Sequence, residues 1–319
     1  MGNALDGNLA TVNTHEAAYF TRRRMLPNIL LELLRLENVP GDALGIYGFV
    51  TGYKIYTHPI EIDNGVSLPL LRNTLQEDYP LNLARQILRA GDTALDLGAN
   101  LGCWTIPLAG MVGPMGKVIA FEPEKANFKL LRKNVAVNGM MQVQLVSLAV
   151  LQDTGRILLF LSPRNAGDHR VWDNTGYHHT WDTNTPRQTV EVYATSLDRY
   201  FGLDRGVSPP IIRLIKLDIQ GSEVLALRGA QRLLAAQESL ALFLELWPVG
   251  LDCAARCEDG VEQLQRLLQA HQFRCWHIDD KQKKLVAVTA LSRLVDKSSG
   301  YFTNLLCIKG NIELPSFEG

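Results

Sequence analysis

The chain has 319 residues, 46% of them hydrophobic and 20% charged, with a formal net charge of -1. This balance excludes an intrinsically disordered chain and gives no bulk electrostatic reason to gather nucleic acid or an anionic membrane. Cys103, Cys253, Cys257, Cys275 and Cys307 form an odd set without C-x-x-C spacing, which supports neither a disulfide framework nor a zinc knuckle and leaves reduced thiols in a cytoplasmic protein as the expectation.

The N-terminus lacks the basic-then-apolar pattern of a secretory signal, and no apolar run reaches the roughly 18 residues of a membrane span. Leu26, Ile29, Leu30, Leu33 and Leu34 recur at helical spacing and predict a helix within Thr14 to Leu36, with Arg22, Arg23 and Arg24 on its solvated face. Strand-like pieces such as Tyr53-Lys54-Ile55-Tyr56 follow, then a helix around Leu81 to Leu88. Residues 1–80 are therefore expected to form an N-terminal extension, suited to covering a cleft or to a homodimer contact. Residues 81–310 form the main domain and residues 311–319 a tail.

From Asp92 onward short apolar strands alternate with amphipathic helices, the pattern of an α/β protein whose mostly parallel sheet carries helices on both faces. Strands are expected at Thr93 to Leu97, Lys117 to Phe121, Val143 to Ser147, Ile212 to Leu217, Leu240 to Leu244 and Asn304 to Ile308. Helices are expected at Gly102 to Met111, Lys125 to Asn138, Ser222 to Ala236 (Ser222 as N-cap) and Val261 to His271. Arg156 to Leu161 and Thr189 to Ala194 predict a hairpin around a long polar loop, and a loop of that length in a compact domain is usually functional.

Asp96-Leu97-Gly98-Ala99-Asn100-Leu101-Gly102 follows an apolar strand and opens a helix, so its glycines let the chain turn tightly and a ligand approach closely. Asn100 replaces the middle glycine of the dinucleotide fingerprint G-x-G-x-x-G, and no Tyr-x-x-x-Lys pair is present, which argues against a nicotinamide-dependent oxidoreductase. S-adenosylmethionine has no phosphates, and its amino acid portion suits the polar groups of Asp96, Gly98, Asn100 and the Gly102 turn. Glu122, ending the next strand, is placed to accept both ribose hydroxyls, with Ser147 and Ala149 flanking adenine and Asn127 a weaker contributor.

The chain resembles the FkbM-type methyltransferases over most of Tyr53 to Gly310. The likeness rests on the Asp96 to Gly102 stretch, on Ala120-Phe121-Glu122-Pro123 with Asn134 and Asn138, and on Asn165-Ala166-Gly167-Asp168-His169-Arg170. It also rests on Ile215-Lys216-Leu217-Asp218-Ile219-Gln220-Gly221-Ser222-Glu223, on Gly229-Ala230, and on Glu245. The resemblance implies a class I, Rossmann-like methyltransferase fold and O-methylation of acceptors such as polyketide macrolactones and sugars. Where many relatives carry Glu in this D-x-E-G stretch the chain has Gln220, which excludes an acid or base role there and leaves substrate contact.

Ligands of parallel α/β sheets collect outside the carboxyl ends of the strands, so Gly98, Glu122, Asp218 and Glu245 should share one crevice. His169 is the first candidate for the base that takes the acceptor's proton, with Asp218 second and Glu245 beside it. Asp168, Arg170, Trp172 and Trp181 belong to an aromatic-rich loop, also holding Tyr177, His178 and His179, that suits an acceptor-binding lid. Asp218 and Glu245 could also hold Mg²⁺, although two carboxylates make a weak metal site and no residue is assigned as a metal ligand. The competing alternatives are the nicotinamide-dependent oxidoreductase and a catalytically inactive binding protein on the same fold.

Overall fold

A computed structural model of the chain describes residues 53–59, 63–71, 78–173, 186–296 and 301–315. The predicted helix at 14–36, the arginine triplet within it, and Tyr177, His178, His179 and Trp181 of the predicted lid lie outside the described residues. No described helix is long and apolar enough to cross a membrane.

In chain order, helices α1 (Ser67–Leu71) and α2 (Asp78–Ile87) lead into β1 (Thr93–Leu97), α3 (Thr105–Val112), β2 (Lys117–Phe121), α4 (Lys125–Val137) and β3 (Val143–Val146). The chain continues through β4 (Ala149–Val150), β5 (Gly155–Leu161), β6 (Gln188–Thr195) and the one-turn α5 (Leu197–Tyr200). The second half runs β7 (Leu214–Leu217), α6 (Glu223–Arg228), α7 (Gln231–Ala236), β8 (Leu240–Leu246), α8 (Pro248–Ala255) and α9 (Gly260–Ala270). It closes with β9 (Arg274–Asp279), β10 (Lys284–Val288) and β11 (Thr303–Lys309).

The main sheet has strand order β3-β2-β1-β7-β8-β11-β9-β10. The strands from β3 to β8 pair in parallel, and β11, β9 and β10 add antiparallel pairs at the other end. Strand alternation sends Leu95, Leu97, Ile215 and Leu217 to a face covered by Val224 and Leu227 of α6, Leu233 of α7 and Leu264 of α9. Ala94, Val118, Leu214 and Phe243 face the other way, beneath Leu83 and Ile87 of α2 and Leu108 of α3. Two-sided burial explains why these strands are continuous apolar runs. A second sheet, β4-β6-β5, carries the predicted hairpin.

The structure departs from the sequence expectations in several places. The helix expected over Ser222 to Ala236 is two helices, broken at Gly229, where a side chain would collide with the Leu151 carbonyl and Ser196. Asp198 caps the second helix from outside, accepting the backbone amides of Arg232 and Leu233, each at 2.9 Å. Ser222 occupies the N-cap position but makes no capping hydrogen bond; the Glu223 carboxylate instead accepts the Ile219 amide at 3.1 Å. The third strand ends at Val146, one residue before Ser147, because the chain leaves for the second sheet at Ala149. The β9–β10 hairpin and α8 were not anticipated.

Tyr53 to Tyr56 is not part of a strand and pairs with none of the described strands. Two asparagines one helical turn apart, Asn134 on α4 and Asn138 at its C-cap, take the place of a neighbouring strand. The Asn138 side chain accepts the Lys54 amide at 2.8 Å and donates to the Lys54 carbonyl at 2.6 Å. Asn134 does the same for Tyr56, at 2.6 and 3.0 Å, and also donates to the Leu101 carbonyl at 2.8 Å. The match arises because residues i and i+2 of an extended chain repeat over a distance close to that between i and i+4 on a helix face.

Asn134→Ala strips partners from three backbone groups around a fully buried side chain and is expected to cost about 3 kcal/mol in urea unfolding, while Asn138→Ala, at a more exposed position, costs about 1 kcal/mol. Equal losses in the two variants would contradict this ranking.

Candidate functional site

Sheet growth reverses at β1, with β2 and β3 added on one side and β7 and β8 on the other, which opens a crevice at the carboxyl ends of β1, β2 and β7. A cleft of about 930 Å³, its mouth included, fills this position. Gly98 turns with φ of +82°, and a Cβ there would lie 2.0 Å from the Asp218 carbonyl oxygen, so only glycine lets the β1 and β7 turns touch. Asn100 adopts a left-handed φ of 49°, which asparagine tolerates better than most residues.

Gly98, Asn100, Glu122 and Ala149 line the cleft together. Glu122 Oε2 accepts the Asn100 amide at 2.9 Å and Oε1 accepts the Glu124 amide at 2.8 Å. The Asn127 side chain also bonds to this carboxylate, which keeps acceptor capacity beyond these three donors. Burial pushes the Glu122 carboxyl up to about 8, against the pull of those two amides.

Asp96, Gly102 and Ser147 do not line the cleft. Asp96 is fully buried behind the turn, where Oδ2 accepts the Thr105 hydroxyl at 2.6 Å and Oδ1 meets no hydrogen-bond partner among the described residues. Burial raises its pKa in spite of the Lys216 ammonium nearby. Gly102 admits the close packing of Leu131 and Ile106 from α4 and α3.

His58, residues 63–67 and residues 164–169 close the cleft from above the strand ends. Asp63 accepts the amides of Val66, Ser67 and Ala166 at 3.1, 2.9 and 3.0 Å. The Ala166 carbonyl accepts from Asn100 at 2.7 Å and from Asn127 at 2.9 Å, while Asn127 Oδ1 meets His58 Nε2 at 2.7 Å. Val66, Ala166 and Gly167 thereby become cleft walls. Their contribution had no signal in the sequence beyond the Asn165 to Arg170 motif.

On the β7 side, Asp218 and Gln220 line the cleft beside Lys216, whose part sequence reasoning missed although it stands within the Ile215 to Glu223 motif. Lys216 Nζ donates to Asp218 Oδ2 at 2.9 Å, and Gln220 Nε2 donates to Oδ1 at 2.7 Å. Gln220 carries a left-handed φ of 53°, and its carbonyl accepts the Trp172 indole N–H at 3.0 Å. Glu245 follows Asp218 across the sheet outside this cleft; burial, with Asp218 and Glu223 adding, lifts its carboxyl well above the ordinary range. Burial likewise raises Glu223 to about 7.

His169 lines the cleft, and burial lowers its pKa to about 4. Its Nδ1 accepts the Ser162 amide at 3.1 Å, so the neutral ring carries its proton on Nε2. Asp168, Arg170 and Trp172 stand behind the cleft wall rather than in it. Asp168 receives Arg170 through two hydrogen bonds at 2.5 and 2.8 Å and Arg187 at 2.6 Å. The Arg170 guanidinium packs on both Trp172 and Trp247, at 4.7 and 4.6 Å from their ring centroids, and the two rings also meet each other at 5.6 Å.

Among the described residues no three His, Cys, Asp or Glu side chains gather as a metal site. Asp218 and Glu245 do not fit Mg²⁺, because the Lys216 ammonium already supplies the cation at Asp218 and both Asp218 oxygens hold donors.

Methyltransferase 1 of Beauveria bassiana (strain ARSEF 2860) is 24% identical to this chain over 144 residues, 42% of this chain and 57% of that protein. The chain thus matches little more than half the length of this relative. Methyltransferase FkbM from Methylobacillus flagellatus KT superposes with a TM-score of 0.39 and 15% identity, over 68% of this chain and 43% of that one. A SAM-dependent O-methyltransferase of Thermotoga maritima does so with a TM-score of 0.37 and 13% identity, over 74% and 66% of the two chains. The methyltransferase FkbM domain matches residues 96–274, more than half of the chain and all of the strand ends around the cleft, and the chain belongs to the FkbM methyltransferase family.

Proposed function

We propose that the chain is an S-adenosylmethionine-dependent O-methyltransferase acting on a hydroxyl of a small natural product or a sugar. The observation that carries this is Glu122. It offers two carboxylate oxygens, each already steadied by a backbone amide, beside the Gly98 turn. That arrangement suits two vicinal ribose hydroxyls.

The charge of the cleft supports a sulfonium cofactor over a nicotinamide dinucleotide. Its lining includes the carboxyls of Glu122 and Asp218, whereas the Lys216 ammonium is already bonded to Asp218. Once Glu122 has lost its proton on binding, a pyrophosphate would meet repulsion there and a sulfonium attraction. Leu148 and Ala149 offer an apolar wall for adenine, and Gly98 and Asn100 the polar edge for the amino acid portion.

Bound S-adenosylmethionine supplies an already activated methyl group, so the protein's work is to align an acceptor oxygen and remove its proton. Alignment of this kind can contribute about 7 to 11 kcal/mol. Asp218 is the favoured base: it borders the cleft, and each of its oxygens has a lone pair beyond those used by Lys216 and Gln220. His169, with its proton on Nε2, serves as a hydrogen-bond donor that orients the acceptor, and Gln220 lines the same wall. Glu245, beside Asp218, is held toward its neutral form by burial. Asp168, Arg170 and Trp172 act by holding the His169 loop in place.

Calorimetric titration with adenosylmethionine, adenosylhomocysteine and NAD tests the cofactor. Micromolar binding of the two sulfur nucleosides is expected, weakened about 100-fold in Glu122→Gln through loss of charge-assisted hydrogen bonds. Preference for NAD would sink the proposal.

Affinity for adenosylhomocysteine should rise with pH. Ribose hydroxyls bind the ionised carboxylate, and the free Glu122 carboxyl loses its proton only near pH 8. Below that value binding must expel the proton, so Kd falls by up to about tenfold per pH unit and levels off above pH 8. Glu122→Gln should flatten the curve, and a flat curve for the unaltered protein would contradict the role of Glu122.

On whichever acceptor releases adenosylhomocysteine in a screen of monosaccharides and macrolactones, Asp218→Asn should lower kcat by about 100-fold or more. Because His169 stays neutral above about pH 5, the rate should show no histidine ionisation near pH 6.5. A limb there that vanishes in His169→Gln would instead make His169 the base.

A further inference from the structure

Cys275 on β9 and Cys307 on β11 are direct partners in the antiparallel register, and their sulfur atoms lie 3.2 Å apart. Residues paired in this way hold their Cα atoms about 4.5 to 5.5 Å apart, inside the range of about 4.4 to 6.8 Å that a disulfide bridges without backbone movement. Cys307 is completely buried, whereas Cys275 is half-buried and borders a second cleft formed with Leu268, Phe273 and Val288, away from the cofactor cleft. Solvent and small oxidants therefore reach one sulfur of the pair and not the other.

We infer that Cys275 and Cys307 form a redox-active pair that a peroxide oxidises to a cross-strand disulfide, with Cys275 the attacking and Cys307 the resolving sulfur. The inference is independent of methyl transfer. The Cys307 thiol donates to the Cys275 sulfur, which holds the Cys275 thiol below its ordinary pKa, while burial and the neighbouring sulfur hold Cys307 well above. In the first step the Cys275 thiolate attacks one peroxide oxygen, the O–O bond breaks, and the departing oxygen takes up a proton and leaves as water. Cys275 is then a sulfenic acid. In the second step the Cys307 sulfur attacks the sulfenic sulfur, the S–S bond forms, and the hydroxyl leaves with the Cys307 proton as a second water. Two thiols and one peroxide thus yield one disulfide and two waters, sulfur being oxidised and oxygen reduced.

The test treats the full chain with a small excess of hydrogen peroxide, counts thiols in denaturant and maps peptides by mass without reduction. The expected result is a fall from five free thiols to three, with a linked peptide pair containing Cys275 and Cys307. Dithiothreitol should reverse it, and the oxidised form should melt about 4 °C higher because the bridge constrains the unfolded chain. In Cys307→Ser the sulfenic acid at Cys275 should become trappable by a 1,3-dione. Mapping of the unaltered protein needs no variant to fold. A bridge between other cysteines, or loss of thiols at Cys103 or Cys257 with Cys275 and Cys307 unlinked, would overturn the inference.

Discussion

The turns that follow β1 and β7 meet backbone to backbone, and the geometry of the site depends on that contact. The Gly98 position leaves no room for a Cβ against the Asp218 carbonyl. With the two turns touching, Asn100 and Glu122 on one side and Lys216, Asp218 and Gln220 on the other become walls of a single cleft. Had the turns been separated by even a methyl group, the two halves would present unrelated surfaces.

Around this contact the protein keeps carboxyl groups away from water. Asp96, Glu122 and Glu223 are buried, and Glu245 joins them in being held neutral more readily than in water. Burial is the leading cause of the raised pKa at each of the four. Lys216 is the cation among Asp96, Asp218 and Glu245, and it donates to Asp218 at the edge of the cleft. The resulting division sets carboxyls that burial holds toward the neutral form apart from Asp218, which meets its two donors at the edge of the cleft.

The sequence made β1 and β2 legible to the residue because strands buried on both faces are written as unbroken apolar runs. The β9–β10 hairpin was not legible, since its strands are largely half-buried or exposed and its turn is a polar Asp279 to Lys283 stretch whose amides bond to the Asp279 carboxylate. The break between α6 and α7 was hidden for another reason: Asp198, which caps α7, lies more than thirty residues earlier. In the site, Gly98, Asn100, Glu122 and Asp218 could be found because each ends a recognisable strand. The cleft cover could not, because its hydrogen bonds run between Asp63, Asn127 and Ala166, which only the folded chain brings together. Spacing also gave no hint that Cys275 and Cys307 are neighbours, since β11 enters the sheet between β8 and β9.

The asparagine clamp on α4 has a consequence for how such a protein can vary. Asn134 and Asn138 grip Lys54 and Tyr56 through main-chain atoms alone, and every amino acid except proline offers the same amide and carbonyl. The instructions for seating the segment ahead of the cleft are therefore written in the helix, not in the segment it seats. Side chains there can differ only within the limit set by Ile55, which packs into the core with Leu101 and Ile106, while the two main-chain contacts keep the backbone in position whatever the side chains of Lys54 and Tyr56.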